Sequence, residues 1–308
     1  MPLKHAGYIE LPPNAGAGGF DHAAVHRGRD RLYVAHTAND SVDVVDVKAG
    51  RFLRSIDGLP GVAGALVDET LDLVFTSNRG EDTVSIVRSD DEAGRVKVGV
   101  GVRPNGLAFD AGSRTLLAAN VGDPERTGTH TVTLVDVEGR SVRASIEVPG
   151  RTRWTVFDAA RDRFFVNIAE PAIIAVIDPG SPGSLVGSIP IPDRGPHGLD
   201  LDPSRQRLYC ACDGGKLVGV ETTTGSVTDT LELSGAPDVI FLDAALQHLY
   251  VAIGDPGVID VIDTARWRRI ETVGTERGAH TLALDDRTHT IYAFLPGTHR
   301  AAVLVDEA

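Results

Sequence analysis

The sequence predicts an all-β fold, a β-propeller of seven blades. Two observations carry this prediction: one pattern occurs seven times, and its copies are almost evenly spaced. Each copy has an apolar stretch, then an Asp (a His in the first copy), and seven residues later an aromatic residue or Leu. The stretches begin at Asp21, Ala63, Asn105, Arg153, His197, Asp238 and His280, with successive spacings of 42, 42, 48, 44, 41 and 42 residues. A repeat of about 40–50 residues is typical of a propeller blade.

Each repeat is expected to form four strands, named A to D from the central channel outward. Strand A is the apolar stretch itself, and a turn rich in Asp, Arg and Gly leads to strand B, as in residues 31–35. Strand C follows, as in residues 42–46, and strand D is represented by residues 144–150. Strand C ends on an aspartate that predicts an Asx-turn into the C–D hairpin, at Asp46, Asp136, Asp178, Asp263 and Asp306.

The last repeat lacks a fourth strand, because only two residues follow Asp306. Residues 8–12 (Tyr-Ile-Glu-Leu-Pro) match residues 145–149 (Ser-Ile-Glu-Val-Pro) of a fourth strand. We therefore expect the N-terminal strand, residues 7–12, to complete the last blade, residues 280–308, and to close the ring. Residues 1–308 then form a single propeller domain.

Composition excludes several classes of function. The formal net charge of −13 argues against a nucleic-acid surface, and no apolar run approaches the roughly 18 residues of a membrane helix. The N-terminus lacks the apolar centre of a secretory signal, which predicts a cytoplasmic protein without a membrane partner. No nucleotide-binding or haem-attachment motif is present. The only cysteines, Cys210 and Cys212, are two positions apart on one strand and too distant for an easy disulfide.

The B strands end in a recurring motif: Tyr-Val-Ala-His at 33–36, Phe-Thr-Ser-Asn at 75–78, Leu-Ala-Ala-Asn at 117–120 and Tyr-Cys-Ala-Cys at 209–212. The motif resembles the repeat of the Tyr-Val-Thr-Asn (YVTN) seven-bladed propeller family over nearly the whole chain. Residues 195–199 (Gly-Pro-His-Gly-Leu), followed by Asp202 and Tyr209, are similar to the repeat of propeller 6-phosphogluconolactonases. The resemblance implies a seven-bladed propeller. It implies no single function, because the wider group includes surface proteins, lactonases and subunits of redox enzymes.

Candidate functional residues stand at the first position of strand A, where seven equivalent side chains converge on the channel mouth. Six of the seven are polar or ionisable. His197, Asp238 and His280 come from consecutive blades and are predicted to be catalytic, because imidazoles flanked by carboxylates suit proton transfer. With Asp21 they are also predicted to be ligands of a divalent metal ion. The alternative is a set of solvated polar residues at a wet channel mouth.

Arginines concentrate on the same face, in or beside the D–A connections: Arg103, Arg151, Arg153, Arg194 and Arg277. Guanidinium groups bind carboxylate or phosphate with two hydrogen bonds, so the cluster predicts a small anionic ligand. The predicted substrate-binding residues are Arg153, Asn105, His36, Asn78 and Asn120. The alternative is ordinary surface arginine, since the chain contains 26 Arg and only 4 Lys.

Together these features favour a soluble propeller enzyme that acts on a small anionic metabolite at the channel mouth. The predicted chemistry is hydrolysis or elimination, either metal-assisted or by His/Asp acid–base catalysis, with lactone opening as the nearest case. The alternative is a non-catalytic propeller that binds a ligand or docks a protein, for which a broad exposed apolar patch is expected. The oligomeric state is left open.

Overall fold

A computed structural model describes residues 3–181 and 183–308. This part of the chain forms 28 strands, β1 to β28, in seven four-stranded antiparallel sheets. Two short 3₁₀ turns, Arg27–Arg29 and Thr37–Asn39, follow the first A and B strands. No helix among the described residues is long and apolar enough to span a membrane. Each sheet is one blade, so the predicted seven-bladed propeller is confirmed.

Blades 1 to 4 run in chain order from strand A to strand D. Blade 1 consists of β2 (Phe20–His26), β3 (Arg31–His36), β4 (Ser41–Asp46) and β5 (Arg51–Ile56). Blade 2 consists of β6 (Val62–Asp68), β7 (Leu73–Asn78), β8 (Thr83–Arg88) and β9 (Asp91–Gly99). Blade 3 consists of β10 (Pro104–Asp110), β11 (Thr115–Asn120), β12 (Thr131–Asp136) and β13 (Ser141–Glu147). Blade 4 consists of β14 (Thr152–Asp158), β15 (Arg163–Ile168), β16 (Ile173–Ile177) and β17 (Leu185–Pro190).

The remaining blades follow the same order, except that blade 7 takes its outer strand from the N-terminus. Blade 5 consists of β18 (Pro196–Asp202), β19 (Arg207–Cys212), β20 (Lys216–Glu221) and β21 (Val227–Glu232). Blade 6 consists of β22 (Ile240–Asp243), β23 (His248–Ile253), β24 (Val258–Asp263) and β25 (Arg268–Gly274). Blade 7 consists of β26 (Thr281–Asp285), β27 (Thr290–Leu295), β28 (Arg300–Asp306) and β1 (Leu3–Glu10).

Strand β1 closes the ring by pairing antiparallel with β28, with Tyr8 opposite Ala302 and Leu3 opposite Asp306. Pairing of the N-terminal strand with the last blade is as predicted, but its bounds differ. The predicted strand covered residues 7–12, whereas the ladder begins at Leu3 and ends at Glu10. Two prolines, at positions 12 and 13, end it because proline has no backbone N–H to donate.

The core lies between the blades, where the B and C strands of one sheet pack on those of the next. Tyr33, Tyr209 and Tyr250 occupy equivalent positions in three B strands and are almost completely buried. The Tyr250 hydroxyl donates to Asp306 at 2.8 Å, which links blade 6 to blade 7. Cys210 and Cys212 are buried free thiols, as predicted. The D strands are largely exposed, so the core supports the inner strands that carry the channel mouth.

Four of the five aspartates that end the C strands form the predicted turns. A carboxylate oxygen of Asp46 accepts a hydrogen bond from the Ala49 N–H at 2.9 Å, and Asp136 accepts from Gly139 at the same distance. Asp178 and Asp263 make equivalent bonds in C–D turns, which lie away from the channel mouth. Asp306 instead accepts from the Ala308 N–H, because blade 7 takes its D strand from the N-terminus and has no C–D turn.

Candidate functional site at the channel mouth

The N-terminal ends of the A strands carry the candidate residues to one face of the ring. Arg153 and His197 are the second residues of β14 and β18. Asp238 and His280 precede β22 and β26. Because these strands line the channel, side chains from neighbouring blades meet there. The structure brings His197, Asp238 and Arg153 into direct contact.

His197 lies between two carboxylates. Its Nδ1 is 2.7 Å from Asp213 Oδ1, and its Nε2 is 3.2 Å from Asp238 Oδ1. Arg153 Nη1 lies 3.3 Å from the same Nε2, and Arg153 Nη2 lies 3.2 Å from Asp213 Oδ2. Both imidazole nitrogens therefore face a carboxylate acceptor, which suits the doubly protonated ring, while the Arg153 donor beside Nε2 opposes that charge.

The electrostatics of this group favour a charged imidazole. Burial opposes the charge on His197, but the negative charge of Asp238 and the hydrogen bonds to Asp213 and Asp238 outweigh it and raise the pKa of His197 to about 9. Burial likewise opposes charge on the two carboxylates. The positive charge of His197 and its hydrogen bonds nevertheless hold the pKa of Asp238 and of Asp213 below the usual range. At neutral pH the site is therefore an imidazolium between two carboxylates.

This raised pKa predicts a pH dependence of stability. The folded protein holds the proton on His197 up to about pH 9, whereas the unfolded chain loses it near pH 6.5. The stabilisation is therefore complete below about pH 6.5 and is lost as pH rises to about 9, to a total of about 3 kcal/mol. Chemical denaturation across this range should show the loss in the parent protein. In His197→Gln, the free energy of unfolding should no longer fall between about pH 6.5 and pH 9. If it fell as steeply as in the parent protein, the raised pKa would not belong to His197.

A second contact network lies on the other side of the mouth. Arg79 Nη2 is 3.2 Å from Asp21 Oδ2 and also donates to Asn105 Oδ1. Arg79 thus joins Asp21 and Asn105, two predicted site residues from blades 1 and 3. The Nε atom of Arg79 is buried without a hydrogen-bond partner among the described residues.

Three arginines at the mouth are not engaged by other side chains. Within residues 3–181 and 183–308, the exposed side chains of Arg103, Arg151 and Arg194 form neither a hydrogen bond nor an ion pair. Loss of solvation lowers the pKa of Arg151, the positive charges of Arg153, Arg79 and Arg103 lower it further, and the negative charge of Asp213 acts to raise it. Three guanidinium groups therefore lie close enough to Arg151 to repel its charge. We call Arg79, Arg103, Arg151 and Arg153 the guanidinium cluster.

Arg277 does not belong to this cluster, although the sequence predicted that it lies with the other arginines at the mouth. Its side chain is exposed and pairs with exposed Asp255 at 3.1 Å. The pair lies in blade 6, on the far side of the mouth from blades 2 to 4, which supply the four clustered guanidinium groups.

The predicted metal ligands are only partly assembled. His280 lies near enough to Asp238 for their charges to interact, but its Nδ1 is 2.7 Å from the Gly278 carbonyl oxygen. Both ring nitrogens of His197 already face carboxylates, and Asp21 binds Arg79. In the described ranges no three His, Cys, Asp or Glu residues are grouped as metal ligands would be. The four residues as arranged do not fit a metal site, and the metal remains a prediction.

Three predicted substrate-binding residues are inaccessible in this structure. His36, Asn78 and Asn120 end the B strands of blades 1 to 3, and each is 0% exposed. Their side chains bond to their own surroundings: His36 to Asp43 and Asn14, Asn78 to Thr83 and Ser85, and Asn120 to Thr131 and Thr133. In this structure these three side chains hold strand B to strand C, and their role in binding stays a prediction. Arg153 and Asn105 remain at the mouth.

The mouth has a floor made of aromatic rings. The His22 and Trp154 rings lie 4.0 Å apart between centroids, although blades 1 and 4 are not neighbours in the ring. Phe241 of blade 6 meets Trp154 edge-on at 6.1 Å. Burial lowers the pKa of His22 although Asp21 and Asp238 act to raise it, so the floor is uncharged at neutral pH. The contact across the channel separates the polar mouth from the channel interior.

Sequence reasoning missed Arg79, Asp213, His22 and Trp154. Arg79 and Asp213 come directly after β7 and β19, where the B–C connections reach the same face as the A-strand starts. Comparing the residues that follow strand B in each repeat would have found both. His22 and Trp154 directly follow first-position residues, and no pattern in the sequence shows that they meet across the channel.

Comparison with known proteins supports the fold and leaves the function open. No family model matches the chain. The chain is 26% identical over 209 residues to the uncharacterized protein YncE of Salmonella typhi and to that of Salmonella typhimurium, over 66% of this chain. It spans about half (54%) of the length of these curated relatives. Hydrazine synthase of Kuenenia stuttgartiensis has a similar structure, with a TM-score of 0.78, 15% identity, and coverage of 94% of this chain and 96% of that chain. This likeness concerns the fold alone.

Proposed function

We propose that the channel mouth binds a small anionic metabolite at the guanidinium cluster and that His197 and His280 carry out acid–base chemistry on it. One observation carries the proposal: three other guanidinium groups lie close enough to Arg151 for their positive charges to act on it. Among the described residues, the exposed side chains of Arg103 and Arg151 have no hydrogen-bond or ion-pair partner, whereas Arg79 is paired with Asp21 and Arg153 with Asp213. Two of the four guanidinium groups are therefore free to bind an anion.

An anion would relieve this repulsion. Guanidinium groups present paired N–H donors that match the oxygens of a carboxylate or phosphate, and bonds between charged partners are stronger than neutral ones. Arg153 also links the cluster to His197, which it approaches to 3.3 Å. A ligand held by Arg151 and Arg153 would therefore lie beside the imidazolium.

The two histidines suit opposite roles. His197 is protonated at neutral pH and is oriented by Asp213, so it suits the general acid. His280 donates its Nδ1 proton to the Gly278 carbonyl, which leaves Nε2 free to accept a proton as the general base. In lactone opening, His280 would take a proton from water as the water oxygen bonds to the carbonyl carbon. The ring C–O bond would then break as His197 protonates the departing oxygen.

The metal-assisted version requires His197 to exchange a carboxylate contact for a metal ion, so we favour the acid–base version. A non-catalytic protein-docking role has less support. The exposed large apolar side chains of the described residues are Tyr8, Val142, Val186 and Val227, each on the outer strand of a different blade. A small-molecule site at the mouth fits this surface better than a protein-docking face.

Ligand-induced stabilisation tests the binding step. Phosphate, citrate or a sugar acid should raise the melting temperature relative to potassium chloride of equal ionic strength. A ligand at about 100 times its Kd adds roughly 2.7 kcal/mol of stability. Arg151→Gln and Arg153→Gln should each reduce this response.

Arg266→Gln is the matched control, because Arg266 is exposed and pairs with Asp263 in a C–D turn away from the mouth. It should respond to anions as the parent protein does. The binding proposal would be wrong if no anion stabilised the parent protein, or if Arg151→Gln kept the full response.

A further inference from the structure

Beneath the floor of rings, which forms part of its lining, the channel contains an open cavity of about 270 Å³. Its walls are mostly apolar or aromatic and include Leu107, Phe109, Trp154 and Phe241. Most of these side chains retain accessible surface although they lie deep in the molecule, because they face the cavity. The volume is just under the roughly 300 Å³ at which typical ligand pockets begin, so the cavity suits a small molecule.

One carboxylate, Asp200 of β18, faces this cavity. Its two oxygens accept hydrogen bonds from the backbone N–H groups of Leu201 at 2.8 Å and Leu242 at 2.7 Å. Across the described ranges it has no Lys, Arg or His partner. Burial raises the pKa of Asp200 to about 7, against the effect of these two hydrogen bonds. A buried carboxylate without a positively charged partner would be stabilised by a cation that enters the cavity.

The far end of the channel favours the entry of cations. A second cavity of about 450 Å³ shares Asp200 and Phe241 with the first and opens among the A–B turns. Its lining includes the carboxylates of Asp68, Glu69 and Asp286 and a single basic side chain, Arg27. Arg27 is already bonded to Glu69 at 2.8 Å and to Asp286 at 2.7 Å. This end of the channel is therefore an acidic mouth, opposite the end that carries the guanidinium cluster.

We propose that the channel interior binds a small organic ammonium ion, which donates hydrogen bonds to Asp200 and packs its apolar part against Trp154 and Phe241. Aromatic faces attract cations, and an apolar body fits the walls. A bare metal ion fits less well, because among the described residues Asp200 is the one carboxylate that lines this inner cavity. The site is distinct from the anion site, from which the contact of His22 and Trp154 separates it.

Calorimetric titration at pH 8 with benzylammonium tests the proposal on the full chain. Benzyl alcohol has the same shape without the charge and should bind at least about tenfold more weakly, because hydrogen bonds between charged partners are the stronger ones. Asp200→Asn should weaken benzylammonium binding by a similar factor. Asp178→Asn, a change in an outer turn, should leave the affinity unchanged.

Magnesium chloride provides a further comparison. Mg²⁺ would displace benzylammonium if the carboxylates of the acidic mouth alone attracted the amine. The proposal is supported if benzylammonium binds, magnesium does not displace it, and Asp200→Asn loses the affinity. It is overturned if benzyl alcohol binds as tightly, if Asp200→Asn keeps the affinity, if magnesium displaces the amine, or if no binding is detected. The alcohol comparison uses the parent protein and holds even if Asp200→Asn fails to fold.

Discussion

A chain that lacks residues 1–10 is expected to lose a large part of its stability and to aggregate. Strand β1 is the outer strand of blade 7, and its removal exposes the whole edge of β28. It also removes Ile9 and Leu3, which are 2% and 6% exposed. Burial of each such side chain contributes about 1.5–3 kcal/mol, in proteins whose total stability is about 5–15 kcal/mol.

Thermal unfolding and size-exclusion chromatography measure this loss. Ile9→Ala in the full chain should show a smaller loss, because the backbone pairing with β28 remains. A synthetic peptide of residues 1–12 should restore part of the stability of the truncated chain by adding back the missing strand. A truncated protein as stable and monomeric as the parent would show that ring closure by β1 contributes little.

Substitution of His197 is expected to abolish most of any hydrolase or lyase activity that screening with sugar-acid lactones and hydroxy acids detects. General acid catalysis typically contributes about 10²–10⁴-fold, so His197→Gln should lower kcat by a factor in that range. Activity in the parent protein should also fall as pH rises through about 9, where His197 loses its proton. Glutamine keeps a hydrogen-bonding group between Asp213 and Asp238 but cannot transfer the proton.

His130→Gln is the matched control, since His130 lies in a B–C connection of the same face and bonds to the Val121 carbonyl, outside the cluster. It should keep parent activity. If His197→Gln kept both its activity and its high-pH decline, His197 would not be the acid. If anions stabilise the protein but no substrate is turned over, the mouth is a binding site without catalysis.

The sequence was sufficient to predict the fold because a propeller repeats one structural unit. Six of the seven repeats carry the turn aspartate and six carry the aromatic B-strand residue, so the register of one repeat could be carried to the others. Residues 8–12 resemble other fourth strands, and this likeness located the closing strand. Its start at Leu3 could not be predicted, because residues before Tyr8 have no counterpart in that comparison.

The site was predicted in part, for a geometrical reason. First positions of strand A are equivalent in every blade, so the sequence could place Arg153, His197 and Asp238 at one mouth. The strand B ends are also equivalent, but their side chains face strand C of the same blade, as Asn78 does in bonding to Thr83. Contacts across the channel, such as His22 with Trp154, depend on the ring diameter and side-chain directions. The spacing of residues along the sequence determines neither the ring diameter nor the side-chain directions.

Anomalous diffraction from crystals grown with selenate shows whether the guanidinium cluster binds an anion. We expect a selenium peak within hydrogen-bonding distance of the guanidinium groups of Arg151 and Arg153, in more than one crystal form, and its loss in Arg151→Gln. A mouth without a peak, while selenate occupies other sites on the same molecule, would show that the cluster is not an anion site.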